Sequence, residues 1–109
     1  MSVDAHRRTE QLAAQGDVLL QQGRRDEALL SYRRAGDAEA EAFLHVPEER
    51  PRTRAVVAVS AVALLRKAEA YDEAVRLAYQ YLSQPGLPPW GQDQLEELLL
   101  DIRHRQDLQ

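Results

Sequence analysis

The chain contains no cysteine, which excludes disulfides, thiolate nucleophiles and cysteine-ligated zinc. Aromatic residues make up only 6% of it, with a single tryptophan, Trp90. No glycine-rich phosphate loop is present. The longest apolar run, residues 55–65, is well short of the about 20 residues that a membrane span requires. We therefore expect no cofactor, no metal, no small-molecule substrate and no membrane segment.

The net charge and the first residues of the chain further restrict its possible partners and its location. A net charge of −4 argues against a nucleic-acid partner, because phosphate backbones are bound by basic surfaces. The opening sequence, MSVDAHRRTEQ, has no apolar stretch that would act as a secretion signal. The sequence thus predicts a cytoplasmic protein.

One short phrase occurs twice in the chain. Residues 19–32 read LLQQGRRDEALLSY, and residues 64–78 read LLRKAEAYDEAVRLA. In both, a Leu-Leu pair and a polar stretch precede Asp-Glu-Ala, with Asp26 and Asp72 in equivalent places. Repetition on this scale indicates stacked units of supersecondary structure, which present surfaces and seldom carry chemistry.

Apolar spacing and breaking residues predict one domain, 1–109, made of five helices. Their predicted ranges are about 4–22, 25–46, 53–68, 71–83 and 89–106. They pair as hairpin 1 (about 4–46) and hairpin 2 (about 53–83), followed by a capping helix. The second helix either ends at Gly36 or, as we favour, continues to Pro47 because Ala and Glu are strong helix formers. The third, with Thr53 as its N-cap, is apolar all round and should be central.

Several residues of the first hairpin resemble the tetratricopeptide-repeat motif. They are Gly16, Gly23, the run Asp26-Glu27-Ala28-Leu29, Tyr32 and Ala35. The second copy is looser: Glu69 stands where the family has its inter-helix glycine, and the copies lie 46 residues apart, against about 34 in the family. The resemblance covers about residues 9–86, and the chain also looks like small stand-alone bacterial repeat proteins. It implies an all-α fold, a short α-solenoid of two antiparallel helical hairpins plus a C-terminal capping helix.

The resemblance also implies a binding groove, lined by the first helix of each hairpin. The residues that it places on or near this groove include Asp17, Gln21, Val59, Arg66 and Lys67. A second candidate surface is the loop around Pro51, where Arg50, Arg52 and Arg54 suit the bidentate binding of an anion. Trp90 either packs over a helix end or serves as a binding hot spot.

The expected function is a non-enzymatic protein–protein interaction module, an adaptor or regulatory subunit with one protein partner. The alternative is a homo-oligomerisation unit that uses the apolar third helix, and a more remote one is a small enzyme. Two acidic clusters with a histidine were considered as metal or acid–base sites, Asp37/Glu41/His45 and Glu97/Asp101/His104. Both are predicted to be solvated helix faces.

Overall fold

The computed structural model describes residues 3–108, with side chains from residue 5 onward. Every regular element in this range is an α-helix. The helices are α1 (Val3–Gln21), α2 (Arg25–Phe43), α3 (Pro51–Lys67), α4 (Tyr71–Leu82) and α5 (Pro89–Asp107). Consecutive helices pack on one another, and α3 also packs on α5. The fold is therefore all-α, with two antiparallel helical hairpins and a closing helix, as predicted.

The third helix is the centre of the domain. It packs on α2, α4 and α5. Ala58, Ala61 and Val62 are fully buried, so the predicted central position of residues 55–65 is confirmed. The exception is Val56, whose side chain remains largely exposed. Within residues 3–108, no helix is both long enough and apolar enough to cross a membrane.

Two predicted helix boundaries are wrong. The third helix begins at Pro51, so Thr53 lies inside the helix and is not its N-cap. A proline suits the first helical position because its fixed φ matches the helix and no N–H is needed there. The second helix is continuous through Gly36, as favoured, but ends at Phe43. The chain then tightens into i→i+3 hydrogen bonds, such as Val46 N–H to the Phe43 carbonyl at 3.2 Å.

Glycines allow the closest approaches between helices. A Cβ added at Gly16 would lie 2.6 Å from the Tyr32 ring, and one at Gly36 would lie 2.9 Å from Leu65. Ala28 is fully buried in the same hairpin as Gly16. The small residues of the first hairpin thus mark helix contacts, as the repeat pattern predicted.

The turns inside the two hairpins have the same hydrogen bonds. In the first, Arg24 N–H donates to the Leu19 carbonyl at 2.9 Å. In the second, Ala70 N–H donates to the Leu65 carbonyl, also at 2.9 Å. Such bonds close the end of a helix in a Schellman-type turn. Donors and acceptors are each offset by 46 residues, the offset of the repeated phrase.

Candidate interaction surface

Asp17 and Lys67, two of the predicted groove residues, contact each other. Lys67 Nζ lies 3.3 Å from Asp17 Oδ1 and 4.7 Å from the centre of the Tyr32 ring. The Tyr32 hydroxyl donates a hydrogen bond to the same carboxylate. This bond, together with Lys67, lowers the pKa of Asp17, whereas burial and then the bond to Asp17 raise the pKa of Tyr32 to about 12. The contacts connect α1, α2 and α3.

Arg66, another predicted groove residue, also pairs with an aspartate of the chain. Its Nη1 atom lies 2.9 Å from Asp101 Oδ2, which also accepts a hydrogen bond from Arg105 Nε at 2.9 Å. The bond from Arg66 and then that from Arg105 lower the pKa of Asp101. Arg66 therefore ties α3 to α5. The predicted rim of the groove is built from cations that already have partners within the chain.

The three arginines around Pro51 do not act together. Arg54 Nη1 donates to the Val46 carbonyl at 2.9 Å, and its Nη2 donates to Gln84 Oε1 at 2.7 Å. Its guanidinium also lies 4.4 Å from the centre of the Phe43 ring. Arg54 thus links the segment that connects α2 to α3 with the segment that connects α4 to α5. Arg50 and Arg52 remain exposed.

The other two predicted groove residues lie apart from each other. Gln21 is exposed at the last position of α1. Val59 is half-buried and packs against the main core, beside the α5 residue Leu98 in a shallow depression between α3 and α5. The five predicted groove residues are thus divided between two ion pairs, the end of α1 and the depression between α3 and α5.

A pocket that the sequence did not predict lies where α1, α2, α3 and α5 meet. Its volume is about 310 Å³. Its walls are His6, Glu39, Arg52, Thr53, Val56, Val57 and Trp90. Val56 and Trp90 leave 56% and 38% of their surface exposed. Trp90, the second residue of α5, forms a wall of this pocket.

Glu39 is the unusual member of this pocket. Only 4% of its surface is exposed. Its Oε1 atom lies 3.4 Å from the Thr9 hydroxyl, which also lies 3.2 Å from the Ala5 carbonyl. A hydroxyl has one hydrogen to donate, so these two contacts compete. No lysine, arginine or histidine in residues 5–108 forms an ion pair with Glu39.

A sequence signal for the burial of Glu39 does exist. It lies in a stripe of α2 whose members recur every three to four residues. All the members except Glu39 are small or aromatic. The stripe is Ala28, Tyr32, Ala35, Glu39 and Ala42, all of which are buried. The run DAEAEAF makes this signal ambiguous. A glutamate in an Ala/Glu-rich segment is equally typical of an exposed helix position, because both residues are strong helix formers.

A larger groove, of about 510 Å³, runs between α2 and α4. Leu44 is 72% exposed at its edge, and Asp37 and Glu41 supply acidic groups. Burial raises the pKa of Asp37. His45 lies 3.5 Å from Glu41 in an exposed pair. Among the described residues, no three acidic or histidine side chains are grouped so as to hold a metal ion.

The chain was compared with protein-family models, with curated proteins and with solved structures. None of the three comparisons gives a match. A functional interpretation therefore depends on the chain's own residues and on the geometry described above.

Proposed function

We propose that this chain is a non-enzymatic protein-interaction module, which binds a segment of a partner protein where α1, α2, α3 and α5 meet. The main support is the pocket beside Val56 and Trp90. Binding hot spots are rich in tryptophan and form around pockets from which water is displaced. In the tetratricopeptide family, which the chain resembles, the first helices of the hairpins supply the binding surface, and Val56 belongs to such a helix.

We further propose that the module acts as an adaptor or regulatory subunit in the cytoplasm. A sequence without cysteine fits a reducing compartment. The pairing of Asp17 with Lys67 and of Arg66 with Asp101 favours a structural role for these four residues. We therefore move the proposed contact surface from the ends of α1 and α3 to the pocket at the start of α3 and α5.

Panning of a random peptide library against the immobilised protein would test this proposal. We expect recovered peptides to lose at least about tenfold in affinity, or about 1.4 kcal/mol, on Val56→Glu. Leu30→Glu is the matched control, because Leu30 is an aliphatic residue of α2 with 49% of its surface exposed, and it is not part of the pocket. Peptides that bind both variants equally well would rule out this surface. Peptides sensitive only to Leu44→Glu would assign binding to the α2–α4 groove.

A second copy of the chain is the alternative partner. Most of the apolar surface of α3 is covered by α2, α4 and α5, which favours a foreign segment over self-association. Sedimentation equilibrium over a hundredfold concentration range separates the two, since a self-associating chain gains mass with concentration. A dimer that Val56→Glu dissociates would replace the partner in this proposal with a second copy.

A further inference from the structure

The pocket at Trp90 contains a buried carboxylate, that of Glu39, which forms no ion pair with a lysine, arginine or histidine of residues 5–108. We propose that it binds a lysine side chain presented by the partner segment, with the Glu39 carboxylate as counter-ion and the Trp90 ring as a wall. This inference rests on the proposed interaction function and names the group that the surface recognises.

The environment of the Glu39 side chain favours a cation in this pocket. A buried carboxylate is strongly disfavoured unless it is paired and hydrogen-bonded. Glu39 has one long contact, 3.4 Å to the Thr9 hydroxyl, and no cationic partner among the described residues. The pocket beside it has a volume of about 310 Å³. A cation entering this space would supply the missing partner.

The apolar and aromatic walls of the pocket also favour a lysine side chain. Val56, Val57 and Trp90 offer apolar surface to the aliphatic stem of a long side chain. The face of a tryptophan ring attracts a cation, by about 0.5–2 kcal/mol depending on how far the pair is desolvated. A buried acid and an aromatic ring among the walls of one pocket are thus complementary to a charged head on an apolar stem.

The choice of lysine over arginine follows from Glu39 itself. Its Oε1 atom already faces the Thr9 hydroxyl, which leaves Oε2 as the freer acceptor. The planar guanidinium of arginine gains most from two parallel bonds to both carboxylate oxygens, whereas an ammonium needs only one acceptor. Oε2 is the freer oxygen of this carboxylate, and a single acceptor suffices for an ammonium, which favours lysine.

Two side chains with basic groups, those of His6 and Arg52, also line the pocket. His6 is turned toward Glu10, with 3.0 Å between His6 Nε2 and Glu10 Oε1. Arg52 is exposed and forms no ion pair within the described part of the chain. Arg52 is thus the nearest competitor of an incoming lysine, and its removal should strengthen lysine binding.

The test uses Nα-acetyl-lysine methylamide as the probe and the neutral norleucine analogue as its control. Trp90 is the only tryptophan, so its fluorescence reports on the pocket directly. At constant ionic strength, we expect a saturable response to the lysine amide and at least tenfold weaker binding of the norleucine amide. Glu39→Gln should weaken lysine binding at least tenfold. Glu41→Gln, which removes an exposed acid two residues along α2, should leave it within twofold.

A second variant keeps the test decisive should Glu39→Gln disturb folding. Arg52→Gln changes an exposed residue and should strengthen binding of the lysine amide at least twofold. Weaker binding of the lysine amide by Arg52→Gln would mean that Arg52 does not compete with the lysine for Glu39, and would overturn the proposal. Equal responses to the lysine and norleucine amides would overturn it as well.

The failure of this inference is distinct from the failure of the proposed function. Library peptides that need Val56 but bind Glu39→Gln normally, and that tolerate norleucine in place of lysine, would retain the module and remove the lysine site. Lysine amide that binds through Glu39, without any recovered peptide that depends on Val56, would retain the site and remove the proposed function.

Discussion

Glu69 has a backbone φ of 59°, and Gly23, its counterpart 46 residues earlier, has a φ of 75°. Both residues are in the left-handed region at the end of the first helix of a hairpin. Glycine adopts this conformation freely, whereas a residue with a Cβ is disfavoured there by roughly 1–2 kcal/mol. The second turn thus keeps the backbone of the first despite the unsuitable residue.

We predict that Glu69→Gly gives a more stable protein than Glu69→Ala, by about 1 kcal/mol. Both variants lose the exposed ion pair between Glu69 and Arg25, so its contribution cancels in the comparison. Only the glycine variant relieves the left-handed strain. Urea unfolding measures the difference, and equal midpoints would mean that residue 69 is not left-handed in solution.

The positions of the helices could be predicted because apolar spacing and breaking residues are local signals. The two hairpin turns could also be predicted, since the repeated phrase fixes their offset. The start of α3 was missed because Thr53 has the side chain of an N-cap, while Pro51 is equally suited to the first helical position. The end of α2 at Phe43 depends on how the chain tightens before Pro47, which no residue pattern shows.

The contacts of the predicted groove residues were harder to predict because they form only through helix packing. Lys67 and Asp17 are 50 residues apart, and both look solvated when each helix is considered alone. Their pairing depends on how α1 and α3 lie beside α2. Glu39 was missed for the opposite reason, since a charged side chain within a buried stripe contradicts the usual preference of glutamate for the surface.

Two buried tyrosines should respond in opposite directions to loss of the hydroxyl group. The Tyr32 hydroxyl donates to Asp17, whereas the Tyr81 hydroxyl is buried and has no hydrogen-bond partner among the described residues. Burial, and then the charge of Glu39, raise the pKa of Tyr81. We predict that Tyr32→Phe lowers the free energy of unfolding by about 1 kcal/mol, and that Tyr81→Phe raises it by up to about 1 kcal/mol.

Urea unfolding of both variants at neutral pH tests this pair. Each variant serves as the control of the other, since the same hydroxyl is removed from the same ring in a buried position. A loss of stability in Tyr81→Phe as large as that in Tyr32→Phe would mean that the Tyr81 hydroxyl has a partner in solution.

The acid limb of the stability profile should depend on Asp17 and Asp101. The pKa of each carboxyl lies below its ordinary value of 3.8. The main cause is the hydrogen bond from Tyr32 for Asp17, and the hydrogen bond from Arg66 for Asp101. A carboxyl with a lowered pKa in the folded state stabilises the fold fully above its unfolded pKa. This stabilisation is lost as the pH falls through the folded pKa.

We therefore predict that the free energy of unfolding falls less steeply below about pH 4 in the double variant Asp17→Asn/Asp101→Asn than in the wild type. Both side chains are partly exposed, so each contributes less than about 1 kcal/mol. Urea titrations from pH 7 to pH 2 measure the two profiles. Parallel profiles would show that neither ion pair forms appreciably in solution.

The arginines around Pro51 should separate into a structural residue and a surface residue. Arg54 makes two hydrogen bonds, to the Val46 carbonyl and to Gln84, and its guanidinium lies 4.4 Å from the centre of the Phe43 ring. Lysine retains the charge but not the fork that reaches both acceptors. Arg52 is exposed and makes none of these contacts.

We predict that Arg54→Lys lowers the free energy of unfolding by about 1–2 kcal/mol, because at least one charge-assisted hydrogen bond and the contact of the guanidinium with the Phe43 ring are lost. Arg52→Lys is the matched control and should stay within about 0.5 kcal/mol of the wild type. Urea unfolding of both variants decides the matter. Equal stability of the two would mean that the bonds of Arg54 to the connecting segments do not persist in solution, and Arg54 would then be as free as Arg52 to contact a partner.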